Sequence, residues 1–145
     1  MKFIHTGDIH WGMCPDANKP WGKERAQAIK DTFRIIIEKT KEMDVDCLFI
    51  SGDLFHRQPL MKDLKEVNYL FSTIPSVKII LIAGNHDRIR ENSALLSFTW
   101  SPNVTFIMDE DLTLSILRIL TRRSMDSAII RLKSRRPCWR IYRFP

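Results

Sequence analysis

Carboxylate, imidazole and amide side chains occur in this sequence directly after three short apolar segments. Asp8 and His10 follow the first segment, Asp53 follows the second, and Asn85 and His86 follow the third. Parallel strands end at one edge of a sheet, and open α/β sheets bind their ligands in the crevice beyond that edge. The spacing therefore predicts one site built from the ends of all three segments.

The residue types at this edge indicate a divalent metal centre. Asp8 and His10 are two residues apart, and on an extended backbone side chains at that spacing point the same way. They could hold one ion, which Asp53 could bridge to a second ion, and Asn85 could offer its carbonyl oxygen to the second. Oxygen donors with one imidazole suit Mn²⁺, and suit Mg²⁺ less well. The lack of thiolate ligands argues against structural zinc.

Such a centre is suited to hydrolysis at phosphorus. Two ions about 3.5–4 Å apart can generate hydroxide and stabilise both oxygens of an in-line displacement. His86 would lie beside the phosphate as a general acid or a charge stabiliser, because imidazole titrates at about pH 6.5. Asp87 either orients that imidazole or caps the following turn. Each motif alone is compatible with a surface pair or an ordinary turn, and the occurrence of all three in order favours a site.

Strand and helix patterns alternate through the first 110 residues. The predicted strands are 1–6, 47–50, 77–83 and 104–107; the predicted helices are 23–43, 60–71 and a short helix to residue 98 capped by Ser93. Because each strand reads as apolar on both faces, the predicted fold class is α/β, with a largely parallel sheet covered by helices.

Charge divides the chain in two. Residues 1–110 carry 14 Lys and Arg against 15 Asp and Glu, whereas residues 111–145 carry 9 against 2. We therefore predict a boundary near Asp111, with a basic tail after it.

The three cysteines form no Cys-x-x-Cys pair and are expected to be free thiols. Without a signal-peptide pattern or an apolar run of about 20 residues, we expect a cytoplasmic protein with no membrane partner.

The motifs resemble those of a known family. The series Asp8-x-His10, Gly52-Asp53-Leu54-Phe55-His56 and Gly84-Asn85-His86-Asp87 resembles the calcineurin-like metallophosphoesterases. The opening from His5 to Gly12 and the Gly-Asp-Leu-Phe-His form are similar to the SbcD-type DNA repair exonucleases. The resemblance covers residues 1–110 and implies an α/β/β/α sandwich, of which this chain would hold the first half. It also implies two Mn²⁺ ions, hydrolysis of DNA phosphodiesters and an SbcC-type ATPase partner.

The resemblance also implies individual roles. Asp8, His10, Asp53 and Asn85 would be metal ligands, and His86 would be catalytic. His56 would lie near the phosphate, although packing within its loop is an alternative.

The sequence departs from the family after His86. The family completes its metal site with a Gly-His and a Gly-His-x-His further along, but this chain has four histidines and none follows His86. We therefore predict a truncated copy, with a shifted reading frame after about Asp111, a poorly held second ion and weak or absent nuclease activity. The alternatives are a phosphatase or cyclic-nucleotide phosphodiesterase of the same superfamily, or a non-catalytic remnant that binds metal or DNA.

The basic tail has two interpretations. Its arginines, among them Arg122, Arg123, Arg135 and Arg136, could grip DNA phosphates without sequence preference. The alternative, which we favour, is a solvated extension.

Overall fold

The computed structural model of the chain describes residues 2–90 and 93–107, which belong to one compact unit spanning residues 1–108. Four strands and three helices alternate, in the order β1 (Phe3–Thr6), α1 (Gly22–Glu42), β2 (Cys47–Ser51), α2 (Met61–Ser72), β3 (Lys78–Ile82), α3 (Ala94–Ser97) and β4 (Val104–Ile107). The strands form one sheet in the order β1-β2-β3-β4, and every neighbouring pair is parallel. The predicted α/β class, with a parallel sheet, is confirmed.

The helices are amphipathic, and their apolar stripes pack on the sheet. In α2 the buried residues are Leu64, Val67 and Phe71, a spacing that places them on one helix face. In α1, Phe33 and Ile37 are buried in the same way. They share one apolar cluster with alternate residues of the two central strands, namely Leu48, Ile50, Ile79 and Leu81. Packing of this cluster fixes the sheet and thereby the positions of the strand ends.

The expectation that every strand is apolar on both faces is wrong for β1. Phe3 is 55% exposed, and His5 is also exposed, because β1 is an edge strand with one pairing partner. The central strands β2 and β3 agree with the expectation better, since Cys47, Leu48, Ile79 and Ile80 on successive positions are buried.

Other sequence expectations concern cysteines, membranes and the tail. Cys14 and Cys47 are free thiols, and burial raises the pKa of the Cys47 thiol to about 12, so it is not a nucleophile at neutral pH. Within the described ranges, no helix is long and apolar enough to cross a bilayer. Cys138, the predicted boundary near Asp111 and the basic tail lie outside the described residues.

Candidate metal centre

The carboxyl ends of β1, β2 and β3 lie side by side. Thr6 is in register with Ile50, and Ser51 is in register with Ile82. The first three loops beyond the strands therefore start at the same edge of the sheet. This brings the predicted site residues to one place, as expected for parallel strands.

The loops after β1 and β2 continue to pair through their main chains. The amide of Asp8 donates to the carbonyl oxygen of Gly52 at 3.2 Å, the amide of His10 donates to Asp53 at 2.9 Å, and Trp11 donates to Leu54 at 2.8 Å. This extension of the ladder holds both predicted ligands of the first loop beside Asp53.

The structure corrects the reason given for the proximity of Asp8 and His10. They are not on an extended backbone: φ is 53° at Asp8 and 52° at His10, and Asp53 is likewise left-handed with φ of 50°. Non-glycine residues rarely adopt this conformation, although Asp and His tolerate it better than most. Such strain clusters at functional sites, where the surrounding structure enforces it.

Three of the predicted ligands nevertheless converge. One ligand atom from each of Asp8, His10 and Asp53 lies within 4.8 Å of the other two. The Asp8 side chain is 84% exposed, whereas Asp53 is 7% exposed. Two carboxylates and one imidazole, open to solvent on one side, can accept a divalent cation from solution.

Two glycines allow the loops after β2 and β3 to approach each other. A Cβ atom on Gly52, where φ is +107°, would lie 3.0 Å from Cα of Gly84. A Cβ atom on Gly84 would overlap the main-chain nitrogen and the Oδ1 atom of Asp53. Any larger residue at position 84 would therefore displace Asp53.

Carboxylates join these two loops. Asp87 is 3% exposed, and its Oδ1 accepts the amide hydrogen of Gly84 at 2.6 Å while its Oδ2 accepts that of Phe55 at 3.0 Å. Asp53 Oδ1 accepts the amide hydrogen of His86 at 2.9 Å. Asp87 thus closes the turn before it and ties that turn to the neighbouring loop, instead of capping the turn that follows it.

Three imidazoles form a second group beside the carboxylates. Nδ1 of His86 lies 2.9 Å from the carbonyl oxygen of His56, and Nδ1 of His56 lies 3.4 Å from Nδ1 of His10. The pKa of His56 is lowered first by desolvation, and next by electrostatic repulsion from His10, His86 and Arg57. His56 thus faces the site, rather than packing only within its own loop.

The other predicted ligand, Asn85, is exposed in the turn between Gly84 and His86, and its role as a ligand stays a prediction. Arg122, Arg123, Arg135 and Arg136 lie outside the described residues.

Sequence reasoning missed Gln58, which links the loop after β2 to the chain after β3. Its amide nitrogen donates to the carbonyl oxygen of Arg88 at 2.7 Å, and Ser93 donates to its Oε1 at 2.8 Å. No local pattern marks a glutamine for such a contact, because its partners are 30 or more residues away in the chain.

Comparisons with known proteins show the family of this chain. Residues 1–127 match the family of the calcineurin-like phosphoesterases. The chain is 35% identical over 92 residues to the DNA double-strand break repair protein Mre11 of Archaeoglobus fulgidus, covering 61% of this chain and 20% of that protein. It is 32% identical over 98 residues to Mre11 of Methanopyrus kandleri, covering 66% and 21% of the two chains.

The chain thus spans about a fifth of the length of the curated relatives it matches. Among solved structures, a nuclease MPE from Pseudomonas putida aligns with a TM-score of 0.45 and 21% identity, over 72% of this chain and 46% of that one.

Proposed function

Because the chain belongs to the calcineurin-like phosphoesterase family, we propose that it hydrolyses DNA phosphodiester bonds with the help of divalent metal ions, Mn²⁺ above all. The observation that carries the proposal is the convergence of Asp8, His10 and Asp53 within 4.8 Å. The names of the Mre11 relatives support DNA as the substrate. By the same likeness, an SbcC-type ATPase is the proposed partner.

The donor set fits the metal that the family uses. Carboxylate oxygens with one imidazole suit Mn²⁺, and the solvent-facing carboxylate of Asp8 leaves a route for the ion and the substrate. When bound, divalent ions supply a nucleophile at neutral pH and neutralise charge on the phosphate. In this proposal Asp8 and His10 hold the first ion, Asp53 bridges to the second, and Asn85 contributes to the second.

His86 is proposed to protonate the leaving oxygen. Its Nδ1–H donates to the carbonyl oxygen of His56, since a carbonyl can only accept, so Nε2 is the atom free to face the substrate. When protonated, His86 can give the Nε2 proton to the leaving oxygen and keep its Nδ1–H bond. His56 is proposed to lie near the phosphate as well, because its ring stacks on that of His86 with centroids 5.0 Å apart.

We further propose that activity is weak because the second ion is poorly held. Among the described residues, Asp53 and Asn85 are the ligands proposed for it, and the sequence has no histidine after His86. A non-catalytic metal-binding protein is the second candidate, and this shortage of ligands is what favours it. DNA contact by the tail arginines stays a prediction.

Cleavage of linear double-stranded DNA and of a small phosphodiester, with Mn²⁺ and with EDTA, tests the proposal. We expect Mn²⁺-dependent cleavage of DNA that falls at least about 100-fold in Asp53→Asn and in His86→Gln, because the first loses the charged carboxylate proposed to bridge the ions and the second loses the proposed acid. His5→Gln is the matched control, since His5 is exposed on β1 and is outside both groups.

Three results would separate the candidates. Cleavage of the small diester but not of DNA would favour a phosphodiesterase of the superfamily. Manganese binding without any cleavage would favour the non-catalytic candidate. Cleavage that survives Asp53→Asn would contradict the assigned centre.

A further inference from the structure

We propose that His10, His56 and His86 form a binding site for one borderline transition-metal cation, Zn²⁺ being the best fit. This site shares His10 with the carboxylate centre. A cation bound by the three histidines therefore competes with a metal bound at the carboxylate centre. It is a separate claim from DNA hydrolysis, because it concerns which cation the three imidazoles bind.

The three rings come from three different loops and meet face to edge or stacked. Their centroids lie 5.3 Å apart for His10 and His56, 4.8 Å for His10 and His86, and 5.0 Å for His56 and His86. One ring nitrogen from each lies within 4.8 Å of the other two. His86 is exposed, whereas the other two rings are half-buried, so a cation can enter from the side of His86.

The distance between two of the ring nitrogens matches a zinc site. Two nitrogens bound to one tetrahedral zinc at about 2.0–2.1 Å are about 3.3–3.4 Å apart. Nδ1 of His10 and Nδ1 of His56 are 3.4 Å apart. A hydrogen bond between them would be long, because N–H donors usually lie 2.9–3.0 Å from their acceptors. The pair is therefore better spaced to share a cation than to share a proton.

An outer contact orients His86 as such contacts do around bound metals. A metal-binding histidine usually donates its other ring N–H to a carbonyl or carboxylate. Nδ1 of His86 is 2.9 Å from the carbonyl oxygen of His56, which leaves Nε2 for a cation. In His10, Nδ1 faces His56, and Nε2 lies on the side of Asp8, 4.0 Å from a carboxylate oxygen, which is too far for a hydrogen bond.

The two centres prefer different ions and compete for His10. Three neutral imidazoles suit Zn²⁺, whereas carboxylates suit Mn²⁺ and Mg²⁺. A neutral imidazole has one lone pair for a metal, so His10 binds either through Nδ1 beside His56 or through Nε2 beside Asp8. Zinc in the histidine site would also withdraw His86 from catalysis, so micromolar zinc would inhibit the manganese-supported reaction.

Titration of the full 145-residue chain with ZnCl₂, followed by calorimetry and by zinc X-ray absorption, tests the site. We expect one zinc bound through three nitrogens, with affinity reduced at least about tenfold in His56→Gln and in His86→Gln, since even outer-shell contacts contribute that much. His5→Gln, which alters the one histidine outside the cluster, should bind zinc like the parent chain. Asp53→Asn should lower manganese affinity far more than zinc affinity, because Asp53 is a proposed ligand of the carboxylate centre alone.

Unchanged zinc affinity in His56→Gln and His86→Gln would overturn the inference, as would sulfur ligands in the absorption spectrum. Circular dichroism checks that each variant is folded, and His86→Gln is the safer of the two because His86 is exposed. Manganese-dependent cleavage without histidine-dependent zinc binding contradicts this inference alone. Zinc binding without any cleavage contradicts only the proposed hydrolysis.

Discussion

The loop after β2 is joined to its two neighbours by different kinds of bond. Towards the loop after β1 the bonds run from main chain to main chain, as in the pair of Trp11 and Leu54 at 2.8 Å. Towards the loop after β3 the bonds involve side chains, among them the carboxylates of Asp53 and Asp87. The main-chain bonds of the first junction do not depend on side-chain identity, whereas single substitutions can remove individual bonds of the second.

This difference predicts where the centre is fragile. Asp8 and His10 are held by main-chain hydrogen bonds. Replacement by residues that tolerate their left-handed backbone should therefore change binding more than folding. Gly84 and Asp87 determine whether the third loop reaches the centre at all, so substitutions there should change both.

The largest loss of folding stability is expected for Asp87→Ala. The change leaves the amides of Gly84 and Phe55 without the carboxylate that accepts from both. Asp87 is only 3% exposed, so water cannot easily replace it. Hydrogen bonds to charged groups contribute about 1.5–3 kcal/mol each, and buried donors left unpaired are costly. We expect the free energy of unfolding to fall by about 3 kcal/mol or more, measured by urea denaturation.

Two variants bracket that result. Asp87→Asn keeps the volume and one acceptor oxygen, and should cost about 1–2 kcal/mol. Asp63→Ala removes one bond to the amide of Leu60 at an exposed helix start, and should cost about 1 kcal/mol or less. If Asp87→Ala and Asp63→Ala lower the free energy of unfolding equally, the hydrogen bonds between the loops after β2 and β3 contribute no more to stability than one exposed helix cap.

A smaller effect on folding, with a clear effect on binding, is expected for Gly84→Ala. The added methyl group would overlap Asp53, so Asp53 must move out of its place. Overpacking of this kind costs about 1–3 kcal/mol, and displacement of a bridging ligand should weaken Mn²⁺ binding at least about tenfold. Manganese affinity is measured by electron paramagnetic resonance titration.

Gly12→Ala is the matched control for Gly84→Ala. Gly12 has φ of +85°, and a Cβ atom there would meet nothing within 4 Å. The backbone penalty is about 1–2 kcal/mol, with no change in manganese affinity. If Gly84→Ala binds manganese as Gly12→Ala does, Asp53 does not belong to the centre.

Much of this fold could be predicted from local pattern, because burial imposes it locally. The helical spacing that ends in Leu64, Val67 and Phe71 and the apolar run of β3 follow from which faces meet the core. The convergence of Asp8 and Asp53 also followed, since parallel strands end at a common edge.

The parts that could not be predicted depend on contacts between distant residues. Phe55 and Asp87 are 32 positions apart, and nothing near either residue indicates their hydrogen bond. His5 and His56 are both histidines near strands, yet only His56 faces the centre. The left-handed backbone at Asp8 was also missed, although Asp and His are among the residue types that tolerate it.

The smallest change in stability is expected for Asp8→Gly, and it tests the first junction most directly. Glycine adopts φ of about 53° without the strain that Asp8 bears, while its extra freedom in the unfolded chain offsets part of that gain. The amide of Asp8 still donates to Gly52, because that bond needs no side chain. We expect the free energy of unfolding to stay the same or rise by up to about 1 kcal/mol, while manganese affinity falls at least about tenfold with the loss of a ligand. A large loss of stability would mean that the Asp8 side chain helps to hold the loops together, and the contrast between the two junctions would fail.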